Sequence, residues 1–140
     1  MLKLKRAYEP ASSADGRRIL VDRLWPRGLS KRRLAIDEWM KEIAPSTPLR
    51  RWFGHDAKKW PEFQRRYKRE LRERGDLLRK IAALASRRRV TLVFGARDEV
   101  HNDAVVLAAV LRARMNRASG TRAARRHRPH AARRRPSSAA

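Results

Sequence analysis

The five residues Val90-Thr91-Leu92-Val93-Phe94 are the strongest strand signal in the chain, and Gly95 follows them directly. A continuous apolar run of this length belongs to a strand buried on both faces, as in a parallel sheet. Ile19-Leu20-Val21 has the same character over a shorter span and reads as a second buried strand. Leu2–Tyr8 alternates instead, with Lys3, Lys5 and Arg6 set among Leu2, Leu4, Ala7 and Tyr8. Helical patterns lie between the strands. Trp60, Phe63, Tyr67 and Leu71 recur at steps of three, four and four, while Arg65, Arg66, Lys68, Arg69 and Arg72 occupy the opposite face. After Gly75, Leu77, Leu78, Ile81, Leu84 and Ala85 form another helix, with Arg87-Arg88-Arg89 at the end its dipole favours. Ala104, Val105, Leu107, Ala108, Val110 and Leu111 form an apolar helix after the strongest strand. Strands separated by helices imply βα units. The expected fold class is therefore α/β, a small and mostly parallel β-sheet flanked by helices, with a disordered basic C-terminal tail.

Two stretches are harder to place. Leu34, Ile36, Trp39, Met40 and Ile43 suit a helix capped by Ser30 or Asp37 and stopped before Pro45. Ser46 or Thr47 then caps a short helix with Pro48 in its first turn, Leu49, Trp52 and Phe53 inward, and Gly54 at its end. The segment Glu9–Gly16 has turn chemistry. Glu9–Arg18 is short for a helical crossover, which leaves an antiparallel pairing of the first two strands open.

Charge divides the chain in two. The net charge is +23, and residues 116–140 carry eight arginines and no acid, so +15 belongs to residues 1–115. The first 115 residues hold the apolar material of one α/β domain; residues 116–140 are Arg-, Ala-, Ser- and Pro-rich and cannot repay the entropy of ordering. There is no run of 18 apolar residues and no cysteine. A membrane span, a disulfide, a zinc–thiolate site and thiol catalysis are thereby excluded, and a reducing cytoplasm is the expected compartment.

In an open α/β sheet, ligands gather beyond the carboxyl ends of the strands. The first such end offers Asp22, Arg23, Trp25 and Arg27; the second offers Arg97, Asp98, His101 and Asn102 at the start of a helix. Asp22, His55 and Asp98 are the candidate catalytic residues, placed to handle a proton. Arg23, Trp25, Arg27, Arg50, Trp52 and Asn102 are the candidate ligand-binding residues, the arginines for an anionic group and the tryptophans for stacking. Structural alternatives stand beside these roles: Asp22 with Arg23 as an ion pair closing the strand, Asp98 as a helix cap. No phosphate loop of Walker type, Gly-x-Ser-x-Gly elbow, His-Glu-x-x-His motif or metal-ligand cluster occurs, and no cofactor is implied. Asp22 and Asp98 can share one Mg²⁺ only if their strands are neighbours.

The run Val21-Asp22-Arg23-Leu24-Trp25-Pro26-Arg27-Gly28 resembles the signature of the YeaO-like bacterial proteins. Further matches follow in order: Trp39 with Ala44-Pro45-Ser46, Leu49-Arg50-x-Trp52-Phe53-Gly54-His55, and Trp60-x-x-Phe63-x-x-x-Tyr67-x-x-Glu70-Leu71. Thr91-Leu92-Val93 through Asp98, His101-Asn102 and Ala104–Leu107 complete the pattern, which covers residues 2 to about 113. The resemblance implies a bacterial cytosolic protein of small α/β fold and supplies no activity. Longer relatives carry a cysteine on the strand-to-helix loop, in a layout similar to rhodanese-like domains. Phe94–Asp98 has none here, which removes the nucleophile that sulfur transfer or cysteine-phosphatase chemistry requires.

Three functions are expected from these residues. The first is a phosphate or carboxylate site, in a binding protein or an enzyme. The second is non-specific nucleic-acid binding through the basic helix face and the tail arginines Arg125, Arg126, Arg128, Arg133, Arg134 and Arg135. The third is an interaction domain without chemistry.

Overall fold

The structure is a computed structural model that describes the backbone of residues 1–134 and the side chains of residues 1–120. Strands β1 (Leu2–Arg6), β2 (Arg17–Leu20), β3 (Glu38–Trp39) and β4 (Val90–Phe94) form one sheet in the order β1-β4-β2-β3. Every pairing is parallel. The antiparallel alternative for the first two strands is thereby corrected: β1 and β2 are not neighbours. Leu2 and Arg17 both stand opposite Val90, one on each side of β4.

A ten-residue connection, Ala7–Gly16, returns the chain from the end of β1 to the start of β2. It does so without an α-helix, through one 3-10 turn at Ser13–Asp15, because its return leg is pinned to the sheet. Asp15 is fully buried. It accepts from Arg18 Nη1 at 2.7 Å, from Lys5 Nζ at 3.1 Å and from the Ser12 N–H at 3.0 Å, with Lys3 Nζ at 3.3 Å. Burial alone raises the pKa of this carboxyl, but those four donors outweigh burial and hold it well below the usual range. The Thr91 hydroxyl donates to the Asp15 carbonyl at 2.7 Å. Gly16 has φ +64°, and a Cβ there would lie 2.3 Å from the Arg89 carbonyl oxygen. Only glycine permits both the conformation and the approach.

The period-two geometry of the strands sorts the core into two layers. Ile19, Val21, Val90, Leu92 and Phe94 pack with Leu2 on one face. Helices α2 (Thr47–Phe53), α3 (Trp60–Arg72), α4 (Gly75–Arg87) and α5 (Asp103–Arg134) supply the other side of that layer, through Leu49, Phe53, Phe63, Tyr67, Leu71, Ile81 and Leu107. Leu20 and Val93 face the opposite way, with Ala7 and with Leu34 of the one-turn helix α1 (Lys31–Leu34), beneath Trp25 and Trp39.

The expected helix over Leu34–Ile43 is not formed. Ser30 caps only one turn, and Ala35 adopts a left-handed conformation (φ 48°) that ends it. Asp37 then bonds Arg18 from both its backbone N–H (2.8 Å to the carbonyl) and its carboxylate (2.8 Å from the N–H), which starts the edge strand β3. The apolar residues that read as one helical face are divided between the two layers: Leu34, Ile36 and Trp39 below, Met40 and Ile43 above. Tertiary pairing overrides the local pattern.

α5 continues past residue 115, the expected domain limit, to Arg134. Met115 is its last described residue packed on the core, and Asn116–Gly120 are all exposed. The side chains of Arg125, Arg126, Arg128, Arg133 and Arg134, and the whole of Arg135, lie outside the described residues. No helix among the described residues is long and apolar enough to cross a membrane.

Candidate functional site

A cavity of about 370 Å³ opens at the carboxyl ends of β2 and β4, against the N-terminus of α5. Seven of the residues singled out in the sequence line it: Asp22, Arg23, Trp25, Arg27, Arg50, His55 and Asn102. Each is placed by a local feature. Asp22 and Arg23 lie just past β2, after Val21, and Asp22 Oδ2 accepts from the Gly95 N–H at 2.7 Å, which ties the ends of β2 and β4 together. Arg23 forms no ion pair with Asp22 among the described residues. Its Nε donates to the Pro45 carbonyl at 3.2 Å and its Nη2 to the Ala44 carbonyl at 3.4 Å. Trp25 donates from Nε1 to the Leu29 carbonyl at 2.7 Å and stands edge-on to Trp39, with ring centroids 5.4 Å apart.

Arg50 and His55 arrive on and just beyond α2. Ser46 caps that helix by accepting the Leu49 N–H at 3.3 Å, Pro48 sits in the first turn, and Gly54 ends it in the left-handed region. His55 is also left-handed, at φ 60°. The start of α2 is fixed to α3 by Glu70, which accepts from the Ser46 N–H at 2.8 Å and the Ser46 hydroxyl at 2.5 Å. Asn102 is buried; its Oδ1 takes the Val105 N–H at 3.0 Å, and its Nδ2 donates to the Asp98 carbonyl at 2.8 Å.

Two singled-out residues stand apart from the cavity. Asp98 is exposed, and its carboxylate accepts the N–H groups of Val100 and His101 at 2.9 Å each and meets His101 Nδ1 at 2.9 Å. Those backbone bonds lower its pKa to about 2. Asp98 thus shapes the loop before α5 and does not line the cavity with Asp22. Trp52 is occupied on its faces: the Arg66 guanidinium lies 4.1 Å from one of its ring centroids and Lys59 Nζ 5.1 Å.

One residue the sequence reading passed over is central. Asp103, the first residue of α5, lines the cavity with Asp22. Burial and the neighbouring charge of Asp22 push its carboxyl well above the ordinary range. Burial likewise raises Asp22, to about 6, against the opposing pull of the Gly95 N–H and His55. The two carboxyls titrate as a coupled pair, and burial together with their mutual repulsion disfavours ionising both at once. Neither forms an ion pair among the described residues. Behind them Tyr67 is fully buried and donates to the Ile43 carbonyl at 2.6 Å. Its hydroxyl is driven well above 10 by burial and by the nearby charges of Asp103 and Asp22. Phe53 and Phe63, stacked with centroids 4.3 Å apart, form the apolar wall. In the sequence, Asp103 reads only as a favourable first-turn acid; its place one residue after the buried Asn102 is the signal that marks it.

The cavity is graded from floor to mouth. Asn102, Phe53 and Phe63 are buried and Asp22 and Asp103 half-buried, whereas Arg27, Arg50 and His55 are exposed. Neither Arg27 nor Arg50 forms an ion pair among the described residues.

A family model described as the inactive DUF488-N3 subclade matches residues 1–131. The chain is 44% identical over 111 residues to the uncharacterised protein YeaO of Escherichia coli, covering 79% of this chain and 96% of that protein. It is 37% identical over 113 residues to the uncharacterised proteins Rv3073c of Mycobacterium tuberculosis and Mb3100c of Mycobacterium bovis, covering 81% of this chain and 95% of each. No solved structure matches. The chain belongs to the inactive DUF488-N3 subclade.

Proposed function

We propose that the domain binds a small anionic molecule, bearing a phosphate or a carboxylate, in the cavity at the ends of β2 and β4. The observation that carries this reading is the convergence of Arg23 and Arg27, from the loop after β2, and Arg50, from α2, on one cavity of about 370 Å³ with apolar walls. Arginine forks suit both anions. The subclade's description as inactive and the absence of cysteine support binding without covalent turnover. The cytoplasm, where such metabolites abound, is the proposed compartment. Thermal unfolding of the full chain in inorganic phosphate tests the reading. At ten times its Kd, phosphate stabilises by about 1.4 kcal/mol. Arg27→Ala with Arg50→Ala is expected to abolish that shift, and an unchanged shift in the double variant would sink the proposal.

A second reading is polyanion binding on α3. Arg65, Arg66, Lys68, Arg69 and Arg72 are all exposed, and this favours contact with nucleic-acid phosphates. Binding of duplex DNA that weakens steeply with salt, and less steeply after Arg65→Ala and Arg69→Ala, is the expected result; salt-independent binding excludes it.

A further inference from the structure

Groups of opposite charge share the cavity without forming an ion pair among the described residues, although His55 at the mouth exerts a pull on Asp22. The floor holds the Asp22–Asp103 pair, whose bonded donor at Asp22 is a neutral backbone N–H at 2.7 Å. Arg23, the nearest cation in sequence, is turned to the carbonyls of Ala44 and Pro45. The mouth holds Arg27 and Arg50, exposed and without ion pairs among the described residues. Two other sheltered carboxylates are met by cations: Asp15 by Lys5 and Arg18, and Glu38 by Lys80 at 2.7 Å. A site complementary to an anion alone would not place a sheltered negative charge beneath its arginines, because that charge opposes the ligand at short range.

We propose that the occupant is a compact zwitterion, with an ammonium group seated on Asp22 and Asp103 at the floor and its phosphate or carboxylate held by Arg27 and Arg50 at the mouth. This rests on the anion-site reading above and names the ligand class for that same cavity. The ammonium has three N–H donors to share between the two carboxyl groups, and the apolar wall of Phe53 and Phe63 lines the short carbon chain between the poles. Seating a cation there favours the ionised forms of both carboxyls, which relieves their mutual repulsion.

The experiment is calorimetric titration of the full chain at pH 7 with three matched probes: phosphoethanolamine, ethyl phosphate and ethylamine. β-Alanine, propionate and ethylamine repeat the comparison with a carboxylate. The zwitterion of at least one series is expected to bind ten-fold or more tightly than its anion-only partner. Asp22→Asn keeps an acceptor for the Gly95 N–H and is expected to erase the ten-fold advantage, weakening the zwitterion and tightening the anion-only probe that the floor charge had opposed; Asp103→Asn is the second variant for the same readout. Equal binding of zwitterion and anion overturns the zwitterion and leaves the anion site standing. Ethylamine binding as tightly as the zwitterions overturns both, since the arginines then take no part. If no probe binds, both readings fall.

Discussion

Two carboxylate clusters sit at opposite ends of the same sheet, and their chemistry is opposite. At the amino end, Asp15 is fully buried among Lys3, Lys5 and Arg18, and its pKa is pulled down despite burial. At the carboxyl end, Asp22 and Asp103 are partly open to a cavity, form no ion pair among the described residues, and are pushed up despite the pull of His55 on Asp22. Depth of burial does not explain the difference; the presence of partners does. The answered charge fastens a loop to a sheet. The unanswered pair is stored electrostatic tension, and a ligand can relieve it.

The largest expected effect breaks the amino-end cluster. Asp15→Ala leaves the Arg18 guanidinium buried without its carboxylate, at a cost of about 3–5 kcal/mol. Chemical denaturation measures it, and a loss below 1 kcal/mol would mean that the cluster is not the anchor described. Next is Gly16→Ala, which strains a positive φ and drives a methyl group into the Arg89 carbonyl. It is expected to cost about 2–3 kcal/mol by the same measurement.

The third prediction concerns pH and takes its sign from each cluster. Asp15 has a depressed pKa, so its contribution is present above the unfolded value of 3.8 and is lost as pH falls through the lower folded value. Asp22 has a raised pKa, so the folded state keeps its proton longer, and stability falls as pH rises from the unfolded 3.8 to about 6. The two slopes oppose each other, so the summed contribution of these two carboxyls is greatest near the unfolded value of 3.8. Asp22→Asn is expected to flatten the loss between those values, raising stability at pH 7.5 by up to about 3 kcal/mol and changing little at pH 4. A variant that destabilises equally at both pH values contradicts the assignment. Smallest of all, Arg50→Ala alters unliganded stability by about 0.5 kcal/mol or less, as an exposed and unpaired side chain should.

The two ends of the sheet also differ in how far the sequence announces them. The apolar runs of β2 and β4 and the period of α3 are local signals, and the structure keeps all three. The cavity residues Asp22, Arg23, Arg27 and Asn102 follow from those strands, because strand ends define where ligands gather. His55 and Arg50 follow only because α2 folds back over the same end. Asp103 was hidden by its own suitability as a helix-start acid. Trp52 misled in the other direction: its ring suggests stacking on a ligand, but Arg66 and Lys59 already occupy it. Asp15 gave no sign, since Ser-Ala-Asp-Gly reads as an exposed turn and only the cations of two non-adjacent strands bury it. The Leu34–Ile43 stretch failed for a related reason, as its partner Arg18 lies far back in the chain. What depends on pairing across the sheet is not written in any single window.

The placement of β4 between β1 and β2 has a consequence in time. The first two strands share no hydrogen bonds, and both are zipped to residues 90–94. A growing polypeptide therefore presents two open β edges from its first twenty residues onward and cannot close them until the ninetieth has been added. At about 5–20 residues per second that interval lasts about 4–14 s, during which unpaired edges are open to chaperones or to wrong partners. The alternating lysines of β1 are suited to that wait, because charges along an edge discourage it from pairing with another chain.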